Sequence, residues 1–185
     1  MFGASVLLLA SCGSSKEVSA PEAPKPVGEI IVNVYCSGPD YFSTDNLIRG
    51  NSIGESTDMT MSKKKARNNT LQELSSKIQT TFKAVIDNYQ SSRETASGEE
   101  VNKRYEELSR EVIDQTISGY KTICEKVTQT TKGTYKTYLA FEISVDNLAK
   151  PFFDKISEDE KLRIDYDYEK FKKTFEDEMK KMENK

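Results

Sequence analysis

The chain of 185 residues contains no histidine. Because histidine is the commonest general base, a member of the usual serine and cysteine triads and a frequent metal ligand, most sites of those kinds are excluded. A large excess of charge is also missing, since 27 Lys and Arg stand against 30 Asp and Glu, for a net charge of -3. Nucleic-acid-binding proteins normally present a basic surface to the phosphate backbone, so we expect no nucleic-acid partner.

No apolar run approaches the roughly 18 residues that a membrane-spanning helix needs. The chain does have a short apolar stretch at 6–9, and it leads into Leu9-Ala10-Ser11-Cys12, which looks like the lipobox of a bacterial lipoprotein. In a lipobox the cysteine accepts a diacylglyceryl group and becomes the first residue of the mature protein. Buried acyl CH₂ groups contribute about 0.8 kcal/mol each, so an acylated Cys12 would hold the protein firmly on a membrane. We predict a signal peptide at 1–11 and lipid attachment at Cys12.

The alternative is a short buried strand or helix with an incidental cysteine. A signal peptide normally opens with a basic region, and no Lys or Arg precedes the apolar stretch, so we expect the true start codon upstream of Met1 or a mis-assigned first segment. The following residues favour the lipoprotein interpretation. Gly13 to Gly28 is polar and contains three prolines, which is typical of an extended spacer. We therefore interpret 12–28 as a lipidated cysteine and its tether.

Two further cysteines, Cys36 and Cys124, are open to two interpretations. In an oxidising envelope compartment they can form a disulfide if their Cα atoms lie within about 7 Å. The sequence favours the other interpretation, in which two separate buried thiols act as small hydrophobic side chains.

The period of the apolar residues predicts an α+β domain over 29–147. The expected elements are a strand at 29–36, a long connection at 37–58, a helix capped by Asp58 or Thr60 and running to about Lys77, a strand at 78–86, a helix at 99–117, and a hairpin of 120–130 with 135–145. The alternative for 78–86 is continuation of the preceding helix to Tyr89. Between the second strand and second helix, 91–98 is expected to be a flexible break. Together these elements predict a two-layer sandwich, with a mainly antiparallel sheet of about four strands and helices on one face.

The last segment, 148–185, is predicted to be an irregular link followed by a long amphipathic helix. Pro151 marks the link, and Ser157 to Glu160 forms a capping box that should begin the helix. The apolar seam of that helix comprises Ile164, Tyr168, Phe171, Phe175, Met179 and Met182. We expect the seam to pack on its own domain, and packing against a partner is the alternative.

The basic run from Lys63 to Arg67 has two interpretations as well. It could contact anionic lipid, but with only four charges a solvated helix face is favoured.

These segments together resemble a known family. The residues that carry the resemblance are the lipobox at 9–12, the helix that begins with Ala66-Arg67 and repeats small and apolar residues to Leu74, the 78–86 strand and the final strand at 135–139. They are similar to the small bacterial envelope lipoproteins of the Lpp-twenty type, which share a domain with the amino-terminal part of a flagellar assembly protein. The resemblance extends loosely from 29 to about 147, and implies an envelope-anchored α/β module without known enzymatic activity, with assembly or surface roles. The chain departs from the family at Thr70, where Ala is usual, in the 37–58 insertion and after Ser157.

We therefore expect a non-enzymatic binding or assembly module, held on the bacterial outer membrane by its lipid and facing periplasm or exterior. The alternative is a structural envelope protein that self-associates through Tyr168, Phe171, Phe175 and Met179. A hydrolase is a distant third, because a glycosidase-like carboxylate pair is the only enzyme mechanism left and nothing singles out two carboxylates. No cofactor is expected, and no metal site, since Asp40, Asp45 and Asp58 are too irregularly spaced for an EF-hand.

Overall fold

The computed structural model describes residues 28, 32–91, 99–159, 162 and 168–183. The chain divides into two compact units, Met1–Asn33 and Val34–Lys185, and the fold below is that of the second. Its elements are β1 (Leu47–Ser56), α1 (Met59–Ser91), α2 (Glu99–Thr116), β2 (Lys121–Gln129), β3 (Tyr135–Ser144), α3 (Asp146–Glu158) and α4 (Tyr168–Glu183), with 3-10 turns at Pro39–Tyr41 and Ile117–Gly119. The predicted α+β class is confirmed. Within the described residues, no helix has the length and apolarity needed to cross a membrane.

The described strands form one antiparallel sheet in the order β1-β3-β2. The predicted hairpin is confirmed, since β2 and β3 pair from Lys121 opposite Glu142 to Gln129 opposite Tyr135. Its turn contains Gly133 at φ +81°, a left-handed conformation that glycine adopts without steric cost. On the other side of β3, β1 pairs along its whole length. The sheet therefore has a central strand, β3, and two edge strands.

Two predicted strands do not form. Residues 78–86 belong to α1, because Ile78, Phe82 and Val85 lie at helical spacing and are all fully buried. The alternative of a continuing helix is thus confirmed. Residues 32–36 contain no strand, and 29–31 lie outside the described residues, as do 92–98 of the predicted flexible break. The first strand of the described sheet is instead β1, within the segment predicted as a long connection, so this sheet has three strands and not about four.

α1 begins at the predicted cap and lies very close to β1. The Met61 N–H donates to Asp58 Oδ1 at 2.7 Å, which satisfies one free donor of the first turn. Further along, a Cβ added to Gly54 would stand 2.3 Å from both the Ala66 nitrogen and the Ser62 carbonyl oxygen. Only glycine at that position allows this approach of helix to strand.

A buried hydroxyl pair connects α1 to two strands. Ser62 Oγ donates to the Gly54 carbonyl at 2.9 Å and lies 2.8 Å from Thr137 Oγ1. Both side chains are almost completely buried, so neither hydroxyl has water as a substitute partner.

Ser62→Ala is expected to lower the free energy of unfolding by about 1–3 kcal/mol, because the Gly54 carbonyl and the Thr137 hydroxyl lose a buried partner. Urea denaturation followed by circular dichroism measures the change. Ser76→Ala is the matched control, since Ser76 is exposed on the same helix. Equal free energies of unfolding for the two variants would contradict the assignment.

The core joins α1 to the two C-terminal helices. Phe82 of α1 stacks on Phe152 of α3 at 3.9 Å between ring centroids, and meets Phe175 of α4 edge-on at 5.7 Å. Phe171, Phe175 and Met179 are at most 2% exposed, so the predicted seam packs on its own domain. Ile164 and the side chain of Met182 lie outside the described residues.

The irregular link predicted before the capping box is wrong, because residues 147–156 lie in α3. The helix contains Pro151 in its interior and buries Leu148, Ala149, Phe152 and Ile156. Burial of that apolar side outweighs the hydrogen bond that proline cannot make. The prediction that a capping box at Ser157 begins the last helix is also wrong. Ser157 lies near the end of α3, which ends at Glu158, and the described part of α4 begins at Tyr168.

Ion pairs join the helices at the surface. A hydrogen bond from Lys155 of α3 lowers the pKa of Glu111 in α2. A hydrogen bond to Asp146 of α3 raises the pKa of Lys172 in α4. Because these groups are solvated, the pairs contribute little to the stability of the fold.

Candidate functional site

The structure joins Cys36 to Cys124 in a disulfide, with 5.5 Å between the Cα atoms. The interpretation favoured from the sequence, two separate thiols, is therefore wrong. The reason lies in the backbone: Cys124 sits in β2 opposite Ala140, and Cys36 has φ +55°, a turn that brings the chain back over the sheet. The turn lies three residues before the first 3-10 helix, and no spacing of residues in the sequence predicts it.

Residues 34–46, which we call the strap, are held at the sheet face that α1 does not cover through Cys36, Asp40 and Phe42. Side chains alternate along a strand, so Arg49, Ile53, Tyr138 and Ala140 point away from the glycines that contact α1. We call this side of the sheet the strap face. The disulfide fixes one end of the strap to it.

Arg49 fixes the other end. Its Nη1 donates to the Phe42 and Asp40 carbonyls at 3.0 and 3.3 Å, and its Nε donates to Glu142 at 3.1 Å. The Arg49 backbone N–H donates to Ser43 Oγ at 3.0 Å. Strap, β1 and β3 are thus connected through one guanidinium group.

An exposed apolar cluster remains beside the disulfide, and we call it the tyrosine patch: Tyr35, Ile53 and Tyr138. The Tyr35 and Tyr138 rings meet edge-on with 5.4 Å between centroids, and Ile53 stands opposite Tyr138 in the strand register. Tyr35 is 56% exposed and Ile53 42%. Clustered apolar exposure of this kind marks interaction surfaces more often than scattered single residues do.

The outer edge of β1 is occupied by α1. Lys65, Asn69 and Lys77 donate to the carbonyls of Glu55, Ile53 and Arg49 at 2.9 to 3.0 Å. β2 forms the other edge of the sheet. A register irregularity between Thr122 and Cys124 interrupts it, and it carries charged side chains such as Lys126, two devices that hinder edge-to-edge pairing.

Three of the four charged residues in the basic run of α1 contact their own domain. Lys63 pairs with Glu125 at 2.9 Å, Lys65 caps the Glu55 carbonyl, and the Arg67 guanidinium lies 5.5 Å from the Tyr120 ring centroid. These contacts support the favoured interpretation of a solvated helix face over a lipid-binding one.

A groove of about 410 Å³ separates α1 from α2. It presents both signs of charge, with Lys83 and Arg110 beside Asp87 and Glu106. It therefore selects no ligand by charge. Within the described ranges, no cluster of three or more metal-ligating side chains occurs.

Of the three site residues predicted from the sequence, the structure brings together Cys36 and Cys124, and Cys12 lies outside the described residues. The tyrosine patch was missed, because the predicted strand at 29–36 placed Tyr35 within the sheet and because β1, with Ile53, was not recognised.

Comparison with known proteins finds no matching family model, no matching curated protein and no matching solved structure. The resemblance to the Lpp-twenty type of lipoprotein stays a prediction.

Proposed function

We propose that this chain is a bacterial envelope lipoprotein, anchored in the outer membrane through an acylated Cys12, whose domain acts outside the cytoplasm as a non-enzymatic binding or assembly module. The observation that carries the proposal is the Cys36–Cys124 disulfide. Disulfides persist in oxidising compartments and are rare in the cytosol. The lipobox and the disulfide are separate features of the chain, and both favour the same compartment.

A binding role is supported by the strap face. The tyrosine patch leaves aromatic and aliphatic surface exposed beside a covalently fixed segment, so a partner meets it already ordered. We propose further that the domain is a two-layer sandwich, in which the helices lie on one side of the sheet and the strap lies on the other. The bound partner is either a protein or another envelope component.

Self-association through the C-terminal helix loses its basis, because Phe171, Phe175 and Met179 are buried in the core of their own domain. A hydrolase has no observation in its favour.

Cys12→Ala is expected to move the protein from the membrane fraction to the soluble periplasmic fraction, because the acyl chains are the proposed anchor. Fractionation and flotation on a sucrose gradient, with mass spectrometry of the amino terminus, measure the effect. The matched control is Cys36→Ser, which removes a different cysteine and should leave the protein in the membrane fraction. An unaltered chain that behaves as a soluble protein, or a Cys12 without lipid, would contradict the proposal.

A further inference from the structure

We propose that the tyrosine patch rests on the lipid surface to which Cys12 anchors the chain, so that the strap face is turned toward the membrane. This inference rests on the proposed function, since it requires the anchor. It names the lipid surface as the envelope component that the tyrosine patch contacts, and it gives the domain a defined orientation.

The position at which the tether joins the domain supports this orientation. About 21 residues separate Cys12 from Val34, which directly precedes Tyr35 of the tyrosine patch. A fully extended chain of that length reaches at most about 70 Å. The anchor therefore keeps the patch close to the lipid, which raises the effective concentration of the patch at the membrane surface. A patch–lipid contact that is too weak to hold an unanchored domain on the membrane can then form in a large fraction of the molecules.

The chemistry of the patch fits the membrane interface. Tyrosine rings combine an apolar body with a polar hydroxyl, and they are enriched at the headgroup level of membrane proteins. Ile53 adds aliphatic surface opposite Tyr138 in the strand register. Phe42, which is 55% exposed, lies at the end of the strap that Arg49 holds.

The charges of the strap face indicate which lipids matter. Arg49 pairs with Glu142 at 3.1 Å, and Lys136 pairs with Glu55 at 3.5 Å. These two cations are neutralised within the face, whereas Lys126, which pairs with Tyr138 in the strand register, is an exposed cation beside the patch. The apolar contact is therefore expected in zwitterionic lipid, and anionic headgroups should strengthen it at low salt.

The test uses tryptophan fluorescence, because the natural chain contains no tryptophan. Full-length acylated protein carrying Tyr35→Trp is reconstituted into phosphatidylcholine vesicles that contain a headgroup-level nitroxide quencher. The matched control is Val127→Trp, since Val127 is 37% exposed but pairs with Thr137 on the side of the sheet that α1 covers. We expect at least about twofold stronger quenching for Tyr35→Trp than for Val127→Trp, because the tyrosine patch lies at the headgroup level.

A second variant tests whether the patch itself makes the contact. Adding Ile53→Asp to Tyr35→Trp places a charge in the patch, and quenching should fall to the level of Val127→Trp while the acyl anchor keeps the protein on the vesicles. Quenching that persists, or that appears only with anionic lipid, would overturn the inference.

The two proposals fail in different ways. If the acylated protein floats with the vesicles but Tyr35→Trp is quenched no more than Val127→Trp, this inference is wrong and the lipid anchor stands. If Cys12 carries no lipid, both are wrong.

Discussion

Gly54→Ala is expected to lower the free energy of unfolding by about 3 kcal/mol, because over-packing against atoms that cannot move away costs the most. The added methyl would lie 2.3 Å from the Ala66 nitrogen and from the Ser62 carbonyl oxygen. Both are backbone atoms of α1, so no side-chain rotation relieves the contact. The helix must move off β1, and the buried hydroxyl pair of Ser62 and Thr137 separates with it.

Urea denaturation of Gly54→Ala and two other glycine variants gives a graded test. Gly119→Ala is the matched control, because a Cβ at Gly119 meets nothing within 4 Å, and a change within about 0.5 kcal/mol is expected. Gly50→Ala should fall between them, since its Cβ would lie 3.0 Å from the Leu74 nitrogen. If Gly54→Ala were no less stable than Gly119→Ala, the close approach of α1 to β1 would be wrong.

Removal of the disulfide by Cys36→Ser with Cys124→Ser is expected to cost about 3–5 kcal/mol, because the bond closes a long loop and so restricts the unfolded chain. The bonded residues are 88 apart in sequence. The comparison is best made in a Cys12→Ala background, in which the disulfide accounts for both remaining cysteines.

The control is chemical. Reduction of the Cys12→Ala protein with dithiothreitol should reproduce the stability of the double variant, and reduction should not change the double variant itself. Equal midpoints of denaturation with and without the bond would show that the two cysteines are not paired in the folded protein.

The β2–β3 hairpin could be predicted from the sequence because local signals agree. Alternation of apolar residues around Leu139, Phe141 and Ile143 and a turn that contains Gly133 specify the same structure. α2 was likewise predicted to within a residue or two, since Tyr105, Leu108 and Val112 repeat at helical spacing.

β1 could not be predicted, because the glycines that allow it to pack closely against α1 also lower its strand propensity. Gly50 and Gly54 lower strand propensity, yet α1 requires them for its close approach. The signal for β1 therefore lies in a tertiary contact that the sequence does not display.

The misassigned strand at 78–86 has a different cause. Ile78, Phe82 and Ile86 satisfy a period of two and a spacing of four equally well, so short-range pattern could not separate strand from helix. Burial of Val85, on the same side of α1 as Phe82, is compatible only with the helix. For the candidate site, sequence reasoning named both cysteines, but the pairing depends on the turn at Cys36.

The Cys36–Cys124 bond also sets the path that mechanical tension takes through the domain. A pull on the tether enters at Val34, passes Cys36 and crosses the bond directly to β2. Toward any load point beyond Cys124, the shortest covalent path bypasses the backbone of β1, α1 and α2. A pull on the anchor would therefore load the segment after Cys124 directly, and it would reach β1 and α1 only through their hydrogen bonds and packing against that segment.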